Sequence, residues 1–323
     1  MNNSPIISNC TAEAIRNAAL ALKAGHLVAF PTETVYGLGA DARNPEAVKR
    51  IYEVKGRPSD HPLIVHISSI NQLDKWAIEI PDYAIVLARA FWPGPMTLIL
   101  KRADIAKNFI TGGQDTVGLR VPNNPIALAL IQEFEKISDS AIAAPSANRF
   151  GQVSPTSSAD VCEELGEFLD DADQILDGGE SIIGIESTII DCSSGEPVIL
   201  RPGFVTKEDV QSELGIKQDY PKASSTIKFS GSFESHYAPR CKVELTNTRG
   251  GKAGFLALAV IDTPMGLVRI AAPSSIEDYA QVLYKAFRTA DQLGLPTLVV
   301  VPPDGEGIAL AVRERIEKAA RGR

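Results

Sequence analysis

The sequence predicts an α/β protein with two domains, and three observations support this prediction. The chain has 323 residues, which is about the length of two ordinary domains. Through the first two thirds, short apolar segments alternate with amphipathic segments that begin at helix-capping residues. A polar, serine-rich stretch at 216–240 then interrupts this alternation, which resumes after it. We therefore predict domains at 1–215 and 241–323, joined by a linker at 216–240.

Capping residues mark the helices of the first domain. Ser, Thr or Asn at the start accepts bonds from free backbone N–H groups, and Gly ends a helix because it adopts the left-handed conformation. The predicted starts are Thr11, Asn44 with Pro45, Ser69 with Gln72 as a capping box, Asn124 with Pro125, Ser157 with Asp160, and Thr206 with Asp209. The predicted ends include Gly25, Gly56 and Gly215.

Short apolar runs between these helices predict the strands of the first domain. Five of them are "HLVAF", "PLIVHI", "MTLILK", "TVGLRV" and "AIAAP". Two more runs, "ESTIID" and "PVILRPG", flank the turn "CSSGE" and predict a β-hairpin.

The segment after the linker has a strand–helix–strand–helix order. "GFLALAVI" and "TLVVVPP" predict strands, and an amphipathic helix is predicted between them at 275–293. A final helix follows the second strand. Because strands separated by helices pair in parallel, we predict a small, separate α/β domain with a parallel sheet.

The composition indicates which binding partners and which cellular compartment to expect. The net charge of −8 argues against a sequence-independent nucleic-acid coat, and no stable nucleic-acid binding is expected. The four cysteines are scattered without a C-x-x-C pair, which favours reduced thiols and a cytoplasmic location. The start "MNNSPIISNC" has no signal-peptide pattern, and no apolar run approaches the ~20 residues that a membrane span needs.

Two patterns are weak as evidence of function. "GLGADA" at 37–42 matches a dinucleotide-binding fingerprint, but that fingerprint opens a helix directly and the helix here starts at Pro45. We interpret it as a glycine-rich turn. The four histidines have no metal-ligand spacing, so no protein-held metal is predicted.

The segment "KGRPSDHPL" at 55–63 is the first candidate for a binding site. Arg57 presents a planar fork that matches phosphate oxygens, and Lys55 adds a compact charge. Gly56 allows close backbone approach, and Pro58 stiffens the turn. Taken alone, this segment fits an ordinary solvated turn somewhat better than a phosphate site.

Three other loops at strand ends favour the phosphate site. They are "PTETVYGLGA" at 31–40, "APSANRFGQVSPTS" at 144–157, and "GIESTII" with "LRPG" between 184 and 203. Loops of this kind gather ligand groups in α/β proteins. Arg120 and Arg201 each end a strand, and hydroxyl and amide groups accompany them. Such a set, without an obvious nucleophile, suits phosphoryl or nucleotidyl transfer by positioning and charge stabilisation.

Several motifs closely resemble the YrdC-like threonylcarbamoyl-adenylate synthases. They are "PTETVYGLGADA", "KGRPSDHPLIVHI", "FWPGPMTLIL", "TVGLRVP", "APSAN" and "GIESTIID…ILRPG", in order and at compatible spacing. The family's Lys-x-Arg and Ser-x-Asn signature falls on Lys55, Arg57, Ser146 and Asn148. "SGSFESHYAPR" and the C-terminal segment resemble the linker and second domain of the longer, two-domain form. His61 and Phe150 depart from the residues usual in the family.

The resemblance implies a fold and a reaction. The fold would be a twisted mixed sheet with surrounding helices and a basic concave cavity, plus a small Rossmann-like C-terminal domain. The reaction would convert L-threonine, bicarbonate (or CO2) and ATP into threonylcarbamoyl-AMP and pyrophosphate, for threonylcarbamoyl-adenosine in tRNA. A transfer enzyme could then pass the product to tRNA, and Mg²⁺ would accompany ATP.

The resemblance also assigns site residues. Lys55 and Arg57 would be catalytic. The implied ATP contacts are Lys55, Arg57, His61, Thr116, Ser146, Asn148, Ser154 and Arg201, with His236 and Tyr237 of the linker, which would act as a lid. The implied threonine contacts are Thr34, His66, Arg120, Ala144 and Ser187.

Two other functions remain open at this stage. One is an RNA-binding module that uses the basic concavity, although the acidic total and the absence of an aromatic-interleaved basic stripe count against it. The other is a carbamoyl-transfer enzyme of hydrogenase maturation, which carries a similar domain. That family adds zinc-finger-like and acylphosphatase-like segments, for which this chain has neither the cysteines nor the length.

Overall fold

The computed structural model of the chain describes residues 5–216, 227–229, 231, 236–245 and 252–322. Most of the predicted linker, at 217–226, 230 and 232–235, therefore lies outside the described residues. The described helices are α1 (Ala12–Ala24), α2 (Pro45–Lys55), α3 (Leu73–Trp76), α4 (Asp82–Phe91), α5 (Asn108–Thr111), α6 (Pro125–Ser138), α7 (Ser158–Leu165), α8 (Lys207–Leu214), α9 (Ile276–Gln292) and α10 (Ile308–Ala320).

The larger sheet contains ten of the described strands. They are β1 (Ile6–Asn9), β2 (Val28–Phe30), β3 (Gly37–Asp41), β4 (Ile64–His66), β5 (Met96–Lys101), β6 (Thr116–Arg120), β7 (Ile142–Ala143), β8 (Gln174–Asp177), β9 (Thr188–Asp191) and β10 (Val198–Arg201). Their order across the sheet is β1-β8-β2-β3-β7-β4-β6-β5-β9-β10. The sheet is mixed: β4 pairs with β6 in parallel, whereas β7 lies antiparallel between β3 and β4. The α/β class and the mixed sheet are confirmed.

The second sheet belongs to the C-terminal segment. Its strands are β11 (Lys242–Glu244), β12 (Ala253–Leu256), β13 (Leu267–Ala271) and β14 (Thr297–Val300), in the order β11-β14-β12-β13. All three neighbouring pairs are parallel, in agreement with the sequence-based prediction. Its Rossmann-like character remains a prediction.

Local capping chemistry places the helices where the sequence predicts them. The Asn44 side chain accepts bonds from the N–H groups of Glu46 and Ala47, and Gly56 ends α2 in the left-handed conformation. Ser157 with Asp160, and Thr206 with Asp209, both form reciprocal capping boxes. Because α2 ends at this point, Lys55 and Arg57 stand on the two sides of a fixed glycine turn.

The capping box predicted at Ser69 is wrong. Ser69 makes no side-chain capping bond, and the chain forms only a 3-10 turn (Ile70–Gln72) followed by the single-turn helix α3. The neighbouring Ser68 instead bonds to Glu135 of α6 through its N–H, at 3.0 Å, and through its hydroxyl. A tertiary contact therefore replaces the local cap.

The glycine-rich turn predicted at 37–42 is also wrong, because these residues form β3. The strand pairs antiparallel with β2, and a β-carbon added at Gly39 would lie 2.7 Å from Ile142 Cγ2 and 2.9 Å from Phe30 Cε1. Both distances are shorter than real β-carbon contacts. The glycine thus permits close packing of side chains from the neighbouring strands β2 and β7, and it opens no helix of the dinucleotide-binding type.

The two domains share one apolar cluster. It joins Val35, Val153 and Ile185 of the first domain to Tyr284 and Phe287 of α9, and the linker residue Tyr237 lies in the same cluster. The C-terminal domain therefore packs directly against the loops that end the strands of the larger sheet. None of the described helices has both the length and the apolar character that a membrane span requires.

Candidate active site

A small cavity lies where β4 and β6 end, beside the loop between β2 and β3. Its other walls come from the loop at 144–146, the residues that precede β9, the end of β10 and the linker residues His236 and Tyr237. Its volume is about 40 Å³. One water needs about 10–15 Å³ of such space, so the cavity is far smaller than a nucleotide. A nucleotide would therefore fit only if part of the cavity wall moved.

One end of the cavity is built around Arg120, at the end of β6. The guanidinium is 4% exposed, and its Nη2 donates to Glu33 Oε1 at 2.6 Å and to Thr34 Oγ1 at 3.0 Å. The hydroxyls of Thr34 and Thr32 are hydrogen-bonded at 2.8 Å. His66, at the end of β4, lines the same end. Burial, with Arg120 nearby, lowers its pKa to about 3, so its imidazole is neutral.

Arg201 and Ser187 form the adjoining wall. Arg201 donates to the Ser187 backbone oxygen through Nε (3.1 Å) and Nη2 (2.8 Å), and Nη2 lies 3.2 Å from the Ser187 hydroxyl. The hydroxyl is also bonded to Thr97 Oγ1 at 2.8 Å. These bonds hold a second buried guanidinium, at the end of β10, in the cavity wall.

Lys55 and Arg57 lie behind the loop at 144–150. Lys55 is 2% exposed, and its ammonium donates to the backbone oxygens of Ser146, at 2.6 Å, and Asn148. Burial, together with Arg57, lowers the pKa of Lys55 well below its usual value. Burial also lowers the pKa of Arg57, which is 7% exposed, to about 10. Two like charges held out of water in this way favour an anionic ligand between or beside them.

A row of aromatic rings connects this cationic corner to the C-terminal domain. His61 contacts Phe150 (6.4 Å between ring centroids), and Phe150 meets His236 edge to face at 6.3 Å. His236 meets Tyr237 at 4.1 Å, and Tyr237 stacks on Tyr284 of α9 at 5.6 Å. Tyr237 holds a left-handed backbone (φ 63°), which is unusual for a tyrosine. These two linker residues are therefore held in the cavity wall by ring contacts on both sides.

Glu186 joins the cavity to the C-terminal domain. Its carboxylate accepts from Ser154 Oγ at 2.6 Å, from the Tyr284 hydroxyl at 2.9 Å and from Arg315 Nε at 3.2 Å. Burial alone would raise the pKa of Glu186, but Arg315 and Arg201 lower it to about 2. This carboxylate is thus ionised, and Ser154 is positioned through it.

The structure brings most of the predicted site residues to one cavity. Those that line it are Thr34, His66, Arg120, Ala144, Ser146, Ser187, Arg201, His236 and Tyr237. Lys55 and Ser154 do not line the cavity, but each donates a hydrogen bond to a residue that does, Ser146 and Glu186 respectively. Arg57 and His61 lie on the adjoining turn after α2. The backbone N–H of Ala144 is bonded to the Ile64 oxygen at 2.9 Å.

Two predicted residues lie apart from the lining. Thr116 begins β6 and borders a neighbouring cavity with the linker residues Lys228 and Phe229. The Asn148 amide donates to the backbone oxygens of Arg149 (2.7 Å) and Gln152 (2.9 Å), so it braces the loop. Their assignment as ATP contacts remains a prediction.

Sequence reasoning missed the two carboxylates of the site, Glu33 and Glu186, and Arg315, the C-terminal partner of Glu186. A signal for Arg315 existed, because it occupies the buried stripe of α10 with Val312, Ile316 and Ala319. A cation on an apolar stripe needs a buried anion. The sequence could not say that this anion is Glu186, 129 positions earlier.

One group of candidate metal ligands lies outside the cavity. His26, Asp170 and Asp173 place their ligand atoms within 4.8 Å of one another. Arg50 donates to Asp173 at 2.7 Å and to Asp170 at 2.8 Å, and so provides a cation for both carboxylates. The cluster is well explained as an ion-pair network.

The buried histidines predict that the protein loses stability in mild acid. The pKa values of His66 and His236 are lowered from 6.5 to about 3, so the unfolded chain binds more protons than the folded chain between these values. Stability is therefore fully present above pH 6.5 and falls as the pH drops toward 3. From pH 7 to pH 5 we expect a loss of about 2 kcal/mol for each histidine.

Urea unfolding at the two pH values measures this loss. His66→Gln should reduce the difference between pH 7 and pH 5 by about 2 kcal/mol. His26→Gln, at a partly exposed position outside the cavity, is the matched control. An unchanged pH difference in the His66 variant would contradict the buried, neutral state of this side chain.

Comparison with known proteins identifies relatives along almost the whole chain. A Sua5/YciO/YrdC family model, described as telomere recombination, matches residues 20–203. A second model, described as the C-terminal domain of threonylcarbamoyl-AMP synthase, matches residues 205–321. Together these matches cover every described strand except β1 and all the residues that line the cavity.

Individual relatives extend over the same length. The threonylcarbamoyl-AMP synthase of Pyrococcus abyssi is 40% identical over 95% of this chain and 94% of the relative. That of Bacillus subtilis is 39% identical over 96% of this chain and 93% of the relative. The crystal structure of P. abyssi Sua5 complexed with L-threonine has a TM-score of 0.87 and 40% identity, covering 98% of each chain. The chain is thus similar to these proteins in both domains and in their arrangement.

Proposed function

Because the chain belongs to the threonylcarbamoyl-AMP synthase family in its two-domain form, we propose that its cavity makes threonylcarbamoyl-AMP and pyrophosphate from L-threonine, bicarbonate (or CO2) and ATP. The chain is a nucleotidyltransferase, and its product serves the threonylcarbamoyl modification of adenosine in tRNA. The observation that carries the assignment to this cavity is the convergence of four buried cations: Arg120 and Arg201 at the ends of β6 and β10, and Lys55 and Arg57 at the end of α2.

The two ends of the cavity suit different substrates. Arg120, with the hydroxyls of Thr34 and Ser187, suits the carboxylate and the polar side chain of threonine. His66, as a neutral imidazole, completes that end. Lys55, Arg57 and Arg201 suit the triphosphate of ATP, because phosphates carry the charge that these buried cations need. This division places the two substrates side by side in one cavity.

The reaction needs little covalent chemistry from the protein. The amine of threonine adds CO2 to give a carbamate, and a carbamate oxygen then attacks the α-phosphate while pyrophosphate leaves. The nucleophile belongs to the substrate, so the site must position the reactants and stabilise charge. Lys55 and Arg57 would hold the phosphates and stabilise the negative charge that develops on departing pyrophosphate.

Magnesium would enter with ATP. Glu186, which lines the cavity, is paired with Arg315, and Glu33, behind the lining, is paired with Arg120. They are thus poorly suited to hold an ion of their own. Mg²⁺ commonly keeps several waters and binds through substrate phosphates. When bound, it would neutralise part of the phosphate charge beside Lys55 and Arg57.

Some parts of the proposal depend only on the family or the sequence. Release of the product to a transfer enzyme that modifies tRNA, and a location in the cytoplasm, belong to this group. The RNA-binding and hydrogenase-maturation alternatives are disfavoured, because relatives that match both domains are threonylcarbamoyl-AMP synthases.

Substrate omission tests the proposal. Pyrophosphate release should require both L-threonine and bicarbonate, because without the carbamate there is no nucleophile for the α-phosphate. Equal release with L-leucine, or without bicarbonate, would overturn the assignment.

A further inference from the structure

Glu33 is a buried carboxylate that the proposed reaction does not use. It lies in the loop between β2 and β3 and is 2% exposed. Its Oε1 accepts from Arg120 Nη2 at 2.6 Å, and the side chains of the pair are 2% and 5% exposed. A carboxylate with no access to water needs a structural or functional reason, because burial of a charge is costly.

The surrounding backbone fixes Glu33 in this position. Its backbone oxygen accepts from the N–H of Ile183 at 2.8 Å, and the next residue, Thr34, accepts from Gly184 at 3.1 Å. Gly184 lies directly against α9, because a β-carbon added there would lie 2.5 Å from Gln281 Cα. The C-terminal domain thus supports the loop from behind, and Glu33 is held against Arg120.

The pairing makes the two ends of the cavity electrically different. At one end, Glu33 balances the charge of Arg120. At the other end, Lys55 donates to the neutral backbone oxygens of Ser146 and Asn148. An ion-paired arginine attracts polyanions much less than an unbalanced lysine does. The charge at the Arg120 end is therefore compensated by a paired carboxylate, whereas the ammonium of Lys55, behind the other end, donates only to neutral oxygens in the described hydrogen bonds.

The paired side chains also leave one donor and one acceptor unused. Among the described residues, Arg120 Nε and Glu33 Oε2 are both buried and have no hydrogen-bond partner. Unsatisfied groups of this kind are rare and often await a ligand. An α-amino acid carries a carboxylate, which accepts, and an ammonium group, which donates, on one carbon. A polyphosphate offers acceptors alone and would meet the negative charge of Glu33.

We propose that Glu33 determines the specificity of the Arg120 end, which takes a zwitterionic amino acid and excludes polyphosphate. This inference rests on the proposed function, because it assumes that threonine binds beside Arg120. Without the charge of Glu33, the triphosphate of ATP or the product pyrophosphate would compete with threonine for Arg120. The ion pair keeps the two substrates at their own ends of one cationic cavity.

Calorimetric titration of L-threonine, with and without saturating inorganic pyrophosphate, tests this role. Threonine binding to the unaltered protein should be insensitive to pyrophosphate. Glu33→Gln keeps the size and an acceptor oxygen for Arg120 but removes the charge. In this variant we expect the Kd for threonine to rise about 10-fold, in line with the loss of a charge-assisted bond. Pyrophosphate should then compete with threonine. Weaker threonine binding that stays insensitive to pyrophosphate would overturn the proposal.

Two further variants separate charge from structure. Glu33→Asp keeps the charge and should keep the insensitivity to pyrophosphate, even if it binds threonine less well; competition in this variant would also overturn the proposal. Asp173→Asn breaks the matched ion pair with Arg50, at 2.7 Å and outside the cavity. It should lower the melting temperature and leave the pyrophosphate response unchanged. If the unaltered protein fails to bind threonine at all, the proposed function fails instead.

Discussion

Arg57→Lys is expected to lower the rate of pyrophosphate release about 10- to 100-fold. Arg57 is 7% exposed on the turn that follows α2, and its Nη2 donates to the Pro62 oxygen at 3.0 Å. A guanidinium held in this way presents a fixed fork that can bind two phosphate oxygens at once, whereas an ammonium offers a single point charge. One lost charge-assisted bond is worth about 1.5–3 kcal/mol, which corresponds to this range.

A matched control shows whether the lower rate of pyrophosphate release is specific to a substitution in the site. Arg50→Lys alters another partly buried arginine, which donates to Asp173 through both terminal nitrogens, at 2.9 Å and 2.7 Å, outside the cavity. This variant should lose stability and keep its rate. Single-turnover measurements of pyrophosphate release compare the two. Full activity in Arg57→Lys would mean that a point charge suffices, or that Arg57 does not act on the phosphates.

Tyr237→Phe is expected to lower synthesis about 10- to 100-fold without lowering the melting temperature. The ring of Tyr237 stacks on Tyr284, and the guanidinium of Arg315 lies 5.7 Å from the ring centroid. Phenylalanine retains both contacts. The hydroxyl is buried and has no partner among the described residues, so the fold gains nothing from it. If the linker acts as a lid over bound ATP, this hydroxyl is free to bond to a phosphate, at about 1.5–3 kcal/mol.

The structure changes one expectation about this position. A lid that is mobile without ligand predicts that Tyr237→Ala lowers synthesis strongly and leaves the melting temperature nearly unchanged. Tyr237 is 1% exposed within the cluster shared by both domains, so loss of its ring should cost about 3–5 kcal/mol. Tyr279→Phe is a suitable control, because its hydroxyl bonds to the Val301 oxygen at 3.0 Å. That variant should lose stability but not activity. An unchanged rate in Tyr237→Phe would remove the hydroxyl from the site.

Features with local causes could be predicted from the sequence. Asn44 caps α2 through N–H groups two and three residues later, and Thr206 and Asp209 cap α8 within three residues. The position of Lys55 at the end of α2 follows from Gly56 alone. The parallel C-terminal sheet follows from strands separated by helices. In each case the residues that decide the structure are close together in the sequence.

Features that depend on distant partners could not be predicted in this way. Gly39 belongs to β3, which pairs with β2 and also with β7, about a hundred residues later. Ser69 makes no side-chain capping bond, and the neighbouring Ser68 bonds to the distant Glu135. The motifs identified Arg120 and Ser154, but not the carboxylates Glu33 and Glu186 that hold them. Those pairings exist only after the sheet and the C-terminal domain have come together.

Incorporation of radiolabelled bicarbonate tests the central claim most directly. The claim is that one cationic cavity joins threonine, bicarbonate and ATP. The purified protein should convert labelled bicarbonate into a product that contains both threonine and AMP and that is separated from free bicarbonate by chromatography, and the label should appear only when L-threonine and ATP are both present. The amount of label should match the pyrophosphate released. Label incorporated without threonine, or pyrophosphate released without incorporation of label, would contradict the account.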